Sequence, residues 1–205
     1  MVGVGVQVAN QIVKDRGAFR ADQFLLNGSI KAHYENTGPE AWDVCNEIDG
    51  FCDFIGSGGT FIGVTKFLKE KTDDQCKCFV LEPTGVDVLN YSKDDENAIM
   101  AEGDGGHKIQ GGGYSKNFSN LPLFGNDDGK AVKNKIDGFL QVTNDEAMEM
   151  SRLLAKKEGI FGGFSAGANI AGAVKLLRNE NANVNCVLVL VCDNGLKYLS
   201  TDLWE

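Results

Sequence analysis

The chain has 205 residues, with 20 basic and 29 acidic side chains and a formal charge of −9. A chain of this length can bury one hydrophobic core without disulfides or a structural metal, and we predict no metal site. The acidic balance disfavours nucleic acid or an anionic membrane as partner, because both require a basic surface. The longest apolar run, residues 187–191, is far short of the roughly 20 residues that span a bilayer.

The six cysteines are scattered and contain no C-x-x-C pair. Cys76 and Cys78 form the closest pair, but their spacing suits neither a zinc site nor a dithiol redox motif. The first residues also lack the basic segment and apolar core of a signal peptide. We therefore predict reduced core thiols and a cytoplasmic, or similarly reducing, location.

In the first half of the chain, apolar spacing predicts a helix over the first twenty or so residues and a strand over 50–55. A glycine-rich segment, residues 56–60, separates this strand from a helix that runs to about residue 70. A second strand is predicted at 78–81, before Pro83. Residues 90–135 are polar and rich in glycine, which predicts a long irregular and functional loop.

The second half returns to a regular alternation of strands and helices. Strands are predicted at 138–142, 160–164 and 186–192, and helices at about 144–159 and 166–177. Thr143 and Glu146 form a capping box that starts the first of these helices. This order predicts an α/β fold, with a mainly parallel twisted sheet covered by helices on both faces.

The segment at 56–60 follows a strand end, where α/β proteins bind ligands. Its members are Gly56, Ser57, Gly58, Gly59 and Thr60. Their backbone N–H groups and hydroxyls, at the start of a helix, favour an oxyanion such as phosphate. The alternative is an ordinary turn between a strand and a helix. A Walker loop is excluded and the dinucleotide fingerprint fits poorly, so phosphate on a smaller cofactor fits better. Spacing alone would make Ser165 a helix N-cap.

Seven segments in order resemble the cysteine synthase (O-acetylserine sulfhydrylase) family of pyridoxal-phosphate enzymes of fold type II, which includes cystathionine β-synthase. They are residues 22–24, 33–40, 56–60, 107–111, 143–147, 159–167 and 198–201. The resemblance implies that residues 25–205 form the large domain of the tryptophan synthase β-like fold. It implies that residues 1–24 are the remnant of a smaller N-terminal domain, so the chain resembles a member truncated at its N-terminus.

The resemblance also implies roles for individual residues. Residues 56–60 match the phosphate-binding turn, and Ser165 matches the serine that faces the pyridine nitrogen. Gln23 matches a glutamine that binds the substrate carboxylate, and Gly111, Gly112 and Gly113 match a glycine loop lining the same cleft. A serine hydroxyl does not fix a proton on the ring, which suits β-elimination. His33 and His107 are interpreted as framework residues.

Relatives carry a lysine that forms a Schiff base with the cofactor, in an Asn-Pro-x-x-Ser-x-Lys-Asp-Arg context that this sequence lacks. Lys14, followed by Asp15 and Arg16, matches only the end of that context. Its alternative interpretation is a solvated lysine near a helix end.

The sequence is compatible with three functions. The first is conversion of O-acetylserine and sulfide into cysteine and acetate, in a protein expected to be a homodimer by resemblance. The second is a catalytically inactive homologue that acts as a binding or assembly protein. The third is an unrelated Rossmann-type nucleotide-binding protein.

Overall fold

A computed structural model describes residues 2–84, 107–113 and 121–205. The α-helices within these ranges are α1 (Val2–Arg16), α2 (Gly28–Ala32), α3 (Gly38–Val44), α4 (Gly59–Lys71), α5 (Asp127–Lys133), α6 (Asn144–Glu158) and α7 (Phe164–Arg178). The strands are β1 (Gly50–Phe54), β2 (Lys77–Pro83), β3 (Gly138–Val142) and β4 (Val187–Leu188). A π-helical turn, His33–Thr37, joins α2 to α3.

The four strands form one sheet in the order β3-β2-β1-β4, and every pairing is parallel. One hydrophobic cluster joins Phe51 of β1 to Phe61 of α4. A second cluster joins Cys52 of β1 to Phe164 of α7. Because neighbouring residues of a strand point to opposite faces, the helices cover both sides of the sheet. The predicted α/β fold class is confirmed.

Two predicted strands differ from the structure. Residues 160–164 do not form a strand, because only Gly162 makes an isolated bridge, to Asn194, and Phe164 already begins α7. The strand predicted at 186–192 is reduced to Val187–Leu188. Beyond Leu188, the side-chain amide of Asn169 donates to the Leu190 carbonyl oxygen at 3.0 Å. In a paired strand, a backbone N–H group of the neighbouring strand would donate to this oxygen.

The predicted irregular region 90–135 lies partly outside the described residues. From residue 121 onward it is regular: a 3-10 turn at Pro122–Gly125 is followed by α5. The side chain of Asn126 caps α5 by accepting a hydrogen bond from the Gly129 N–H at 2.7 Å. For this portion of the chain the prediction of an irregular loop is wrong.

The cysteines divide into two groups. Cys52, Cys76 and Cys78 are buried, as predicted for core thiols, and all six cysteines are free. The prediction is wrong for Cys45 and Cys186, which are partly exposed, and for Cys192, which is exposed. Among the described residues no group of three potential metal ligands occurs, and no helix there is both long and apolar enough to cross a membrane.

A buried ion pair connects α4 to the segment before β3. Lys69 Nζ lies 2.7 Å from Asp137 Oδ2, and the same oxygen accepts a hydrogen bond from the Cys78 N–H of β2 at 2.8 Å. The Lys69 side chain is only 5% exposed, so loss of its partner would leave a charge in the protein interior. Lys66 and Asp128 form a comparable but more exposed pair at 2.8 Å.

Asp137→Asn is therefore expected to lower the free energy of unfolding by about 2 kcal/mol, because it keeps the hydrogen-bond acceptor but removes the charge that compensates Lys69. Asp128→Asn, the control, should lower it by less than about 1 kcal/mol. Urea unfolding followed by circular dichroism measures both values. Equal values for the two variants would show that the buried pair contributes no more than the exposed one.

Candidate functional site

A cavity of about 290 Å³ opens at the carboxyl end of β1. It is lined by Gln23, Asp53, Phe54, Gly56, Ser57, Gly58, Thr60, Gly111, Ser165, Cys192, Asp193 and Lys197. The glycine turn (residues 56–60) and Ser165 therefore share one cavity, which also receives Gln23 and Gly111. Gly59 and Gly112 adjoin lining residues along the chain, but neither they nor Gly113 line the cavity. Lys14 is exposed on α1 and is not among the lining residues.

The glycine turn connects β1 to the buried helix α4. At its three glycines the surrounding residues leave no room for a side chain. Gly58 has a φ of +95°, and a Cβ atom there would lie 2.5 Å from Phe124 Cε2. A Cβ at Gly59 would lie 2.0 Å from Ser29 Oγ, and one at Gly56 would lie 2.5 Å from the Gly111 carbonyl oxygen.

The turn also has the chemistry of an anion site. The N–H groups at the start of α4 carry partial positive charge, and Ser57 and Thr60 add hydroxyl donors at the cavity. This combination fits the phosphate group of a cofactor.

His33 holds the Thr60 hydroxyl in position. Its Nε2 lies 3.0 Å from Thr60 Oγ1, and its Nδ1 lies 2.9 Å from Thr37 Oγ1. Burial lowers the pKa of His33, which favours the neutral ring. His33 thus contacts a proposed anion-binding residue directly, and the motif that contains it gave no indication of this contact.

The glycine loop (residues 111–113) lies against the end of β1, next to Ser165. Gly113 donates its N–H to the Ile55 carbonyl oxygen at 3.0 Å, and His107 Nε2 lies 3.2 Å from the Gly113 carbonyl oxygen. Gly111 has a φ of +112°, and a Cβ there would lie 3.3 Å from Ser165 Oγ. The glycine loop and Ser165 therefore face each other across a narrow gap.

Ser165 is buried near the beginning of α7, but the N-cap of this helix is Gly163. The alternative interpretation of Ser165 as an N-cap is therefore wrong. Helix α6 fixes the start of α7, because Ser151 Oγ donates to the Gly163 carbonyl oxygen at 2.9 Å. A Cβ at Gly167 would lie only 1.9 Å from the Ala147 carbonyl oxygen, so the two helices are in close contact there.

A buried carboxyl group, Asp53, lies in the same cavity wall. Burial raises the pKa of Asp53 to about 7, although the Asn169 amide partly offsets this by donating to Asp53 Oδ1 at 3.2 Å. Asn169 Oδ1 also accepts the Phe54 N–H at 2.8 Å. The predicted site residues did not include Asp53, although its place at a strand end was a usable signal.

The C-terminal turn (residues 192–197) forms another part of the cavity wall. None of its residues was among the predicted site residues. Tyr198 donates its hydroxyl to Asp193 Oδ2, and Lys197 Nζ lies 3.6 Å from the same oxygen. Asp193 Oδ1 is buried without a hydrogen-bond partner among the described residues. Cys192 is exposed overall, but its sulfur atom points inward: Sγ lies 3.7 Å from Nδ2 of the buried Asn169. Burial raises the pKa of its thiol to about 11.

A parallel sheet with a glycine turn between a strand and a helix defines a class of α/β proteins that bind phosphate groups at strand ends. The family described as pyridoxal-phosphate dependent enzyme matches residues 3–193. The chain belongs to this family, whose cofactor is pyridoxal phosphate. The residues of the glycine turn fit the phosphate of that cofactor, and the buried Ser165 hydroxyl lies in the same cavity.

Two curated relatives are similar to most of this chain. Cysteine synthase A of Salmonella typhi is 34% identical over 184 residues, which cover 89% of this chain and 53% of that protein. Cysteine synthase of Staphylococcus aureus (strain Mu50) is 32% identical over 204 residues, covering 98% and 58% respectively. The resemblance to the cysteine synthase family is confirmed. The chain spans about half the length of the curated relatives it matches.

Solved structures give the same result for the fold. O-ureido-L-serine synthase superposes with a TM-score of 0.76 at 29% identity, covering 98% of this chain and 57% of that chain. O-acetyl serine sulfhydrylase isoform 3 from Entamoeba histolytica superposes with a TM-score of 0.74 at 29% identity, covering 97% and 54%. The fold type II architecture implied by the resemblance is confirmed.

Proposed function

We propose that this chain holds pyridoxal 5′-phosphate for a β-replacement reaction of the cysteine synthase type, in which O-acetylserine and sulfide give cysteine and acetate. The observation that carries the proposal is the single cavity shared by the glycine turn and Ser165. Residues 25–205 would be the large, cofactor-binding domain, and residues 1–24 the remnant of a smaller one.

The phosphate would be held by the glycine turn. Backbone N–H groups at the start of α4 and the hydroxyls of Ser57 and Thr60 donate to its oxygens, while His33 fixes the Thr60 hydroxyl. Ser165, which lines the same cavity, would face the pyridine nitrogen. When bound, the cofactor supplies an electron sink for loss of a leaving group from the β-carbon of the substrate.

The substrate would be an amino acid, held by Gln23 and the glycine loop. Gln23 is exposed at the cavity, where its amide N–H group can donate to a substrate carboxylate. Gly111 has no side chain, so the substrate can approach the backbone closely beside Ser165.

Ser165→Ala tests this arrangement in the full chain. We expect the wild-type chain to bind pyridoxal phosphate and to form cysteine from O-acetylserine and sulfide. The variant should lose roughly tenfold in the rate of cysteine formation, about the contribution of one hydrogen bond to the ring, and should shift the absorption band of the bound cofactor. Binding of NAD without binding of pyridoxal phosphate would instead support the nucleotide-binding function.

The position of Lys14 favours a second candidate, a homologue that binds the cofactor without catalysis and acts as a binding or assembly protein. Lys14 is exposed on α1, whereas Lys197 is the cavity-lining lysine among the described residues. Borohydride reduction of the loaded protein, followed by peptide mass analysis, identifies any lysine linked to the cofactor. Bound cofactor with neither a modified lysine nor cysteine formation would support the second candidate.

The proposed assembly is a homodimer located in the cytoplasm. The dimer is expected because the family resemblance implies it, and light scattering of the purified chain measures the assembly directly. A monomer at all concentrations tested would contradict this part of the proposal while leaving the cofactor site untouched.

A further inference from the structure

The thiols of Cys45 and Cys186 are neighbours although 141 positions separate them in the sequence. Their Sγ atoms lie 3.6 Å apart. Cys45 directly follows α3, and Cys186 directly precedes β4 at the edge of the sheet. Both residues are partly exposed, so small molecules can reach the pair.

Backbone hydrogen bonds hold both cysteines in place. Asp49 Oδ1 accepts the Cys186 N–H at 2.8 Å, and the Cys186 carbonyl oxygen accepts the N–H groups of Asp49 and Gly50 at 3.1 and 3.0 Å. The Cys45 N–H donates to the Ala41 carbonyl oxygen at 3.0 Å. With the two backbones fixed, side-chain rotation alone has to shorten the sulfur–sulfur distance to the roughly 2.05 Å of a disulfide.

We propose that Cys45 and Cys186 are a redox modification site that forms a reversible disulfide with two-electron oxidants, namely peroxides and small-molecule disulfides. With hydrogen peroxide, the two S–H bonds and the peroxide O–O bond break, the two thiols lose two protons and two electrons, the sulfur–sulfur bond forms, and the peroxide takes up these protons and electrons to give two waters. With a small-molecule disulfide, two successive exchange steps release two small thiols. The bond links the end of α3 to the start of β4.

The other cysteines lack this combination of proximity and access. Cys52, Cys76 and Cys78 are buried, while Cys192 is exposed but bonds to the Leu190 carbonyl oxygen and the Asn169 amide. Burial and the neighbouring Cys45 raise the pKa of the Cys186 thiol. Because the thiolate is the reactive form, disulfide formation should accelerate as the pH rises.

The experiment uses the full reduced chain, treated with one equivalent of hydrogen peroxide and, separately, with oxidised glutathione. We expect two of the six thiols to disappear and one cross-linked peptide containing Cys45 and Cys186 to appear, both reversed by dithiothreitol. The oxidised chain should also melt a few degrees higher, because the bond closes a long loop. No step requires pyridoxal phosphate, so the result is independent of the proposed function.

Single variants supply the controls. Cys45→Ser and Cys186→Ser should each prevent the cross-link, whereas Cys192→Ser should leave it unchanged. Separate oxidation of Cys45 and Cys186, a cross-link through Cys192, or retention of all six thiols under conditions that oxidise free glutathione would each overturn the proposal. The thiol count on the wild-type chain gives an answer even if a serine variant fails to fold.

Discussion

Gly58→Ala is expected to lower the affinity of the chain for pyridoxal phosphate roughly 100-fold while leaving the chain folded. The φ of +95° at this residue is strained for alanine, and the added methyl carbon would lie 2.5 Å from Phe124 Cε2. Because the Phe124 ring is buried and has little room to move, we expect the turn to relieve the contact and the strain by rotating its backbone. This rotation moves the N–H groups at the start of α4 away from the phosphate, and each hydrogen bond to a charged group is worth about 1.5–3 kcal/mol.

The matched control is Gly125→Ala, because a Cβ atom at Gly125 meets nothing within 4 Å. Absorption titrations with pyridoxal phosphate and with pyridoxal, which lacks the phosphate, should be carried out on both variants and on the wild type. Gly58→Ala should lose affinity for the phosphorylated compound alone. If both compounds lose affinity equally, the damage is general and the glycine turn is not the phosphate site.

The glycine turn and its place between a strand and a helix could be predicted from sequence because these features are local. The end of β1, five consecutive small residues and the start of α4 follow one another along the chain, so the prediction of an anion site rests on one segment. The capping box was likewise visible in four residues. The structure contains both of its hydrogen bonds, one to Thr143 Oγ1 at 3.1 Å and one to Glu146 Oε2 at 2.9 Å.

Features that depend on distant residues were missed. The apolar run at 186–192 satisfies every sequence rule for a strand, yet the amide of Asn169, on α7, occupies the hydrogen-bonding position beside Leu190. The same amide donates to Asp53 Oδ1, so one buried side chain contacts both the segment after β4 and a carboxyl group of the cavity wall. No spacing within a single segment reveals a contact between residues 116 positions apart.

Burial places the pKa of the Asp53 carboxyl group at about 7, far above the usual value of 3.8. Between these two values the folded chain binds more protons than the unfolded chain, so stability falls as the pH rises. From pH 5 to pH 8 this one group should remove about 2.5 kcal/mol from the free energy of unfolding. Asp53→Asn removes the charge and keeps an oxygen that accepts the Asn169 amide.

The gain in stability from Asp53→Asn should therefore be about 2.5 kcal/mol larger at pH 8 than at pH 5, as measured by urea unfolding at both values. Asp43→Asn, at an exposed position on α3, is the control and should change stability equally at the two pH values. If wild type and Asp53→Asn lose stability in parallel, Asp53 is already ionised at pH 5. In that case the buried carboxyl would be a permanent negative charge in the wall of the cavity that Ser165 also lines, and it would repel an anionic ligand.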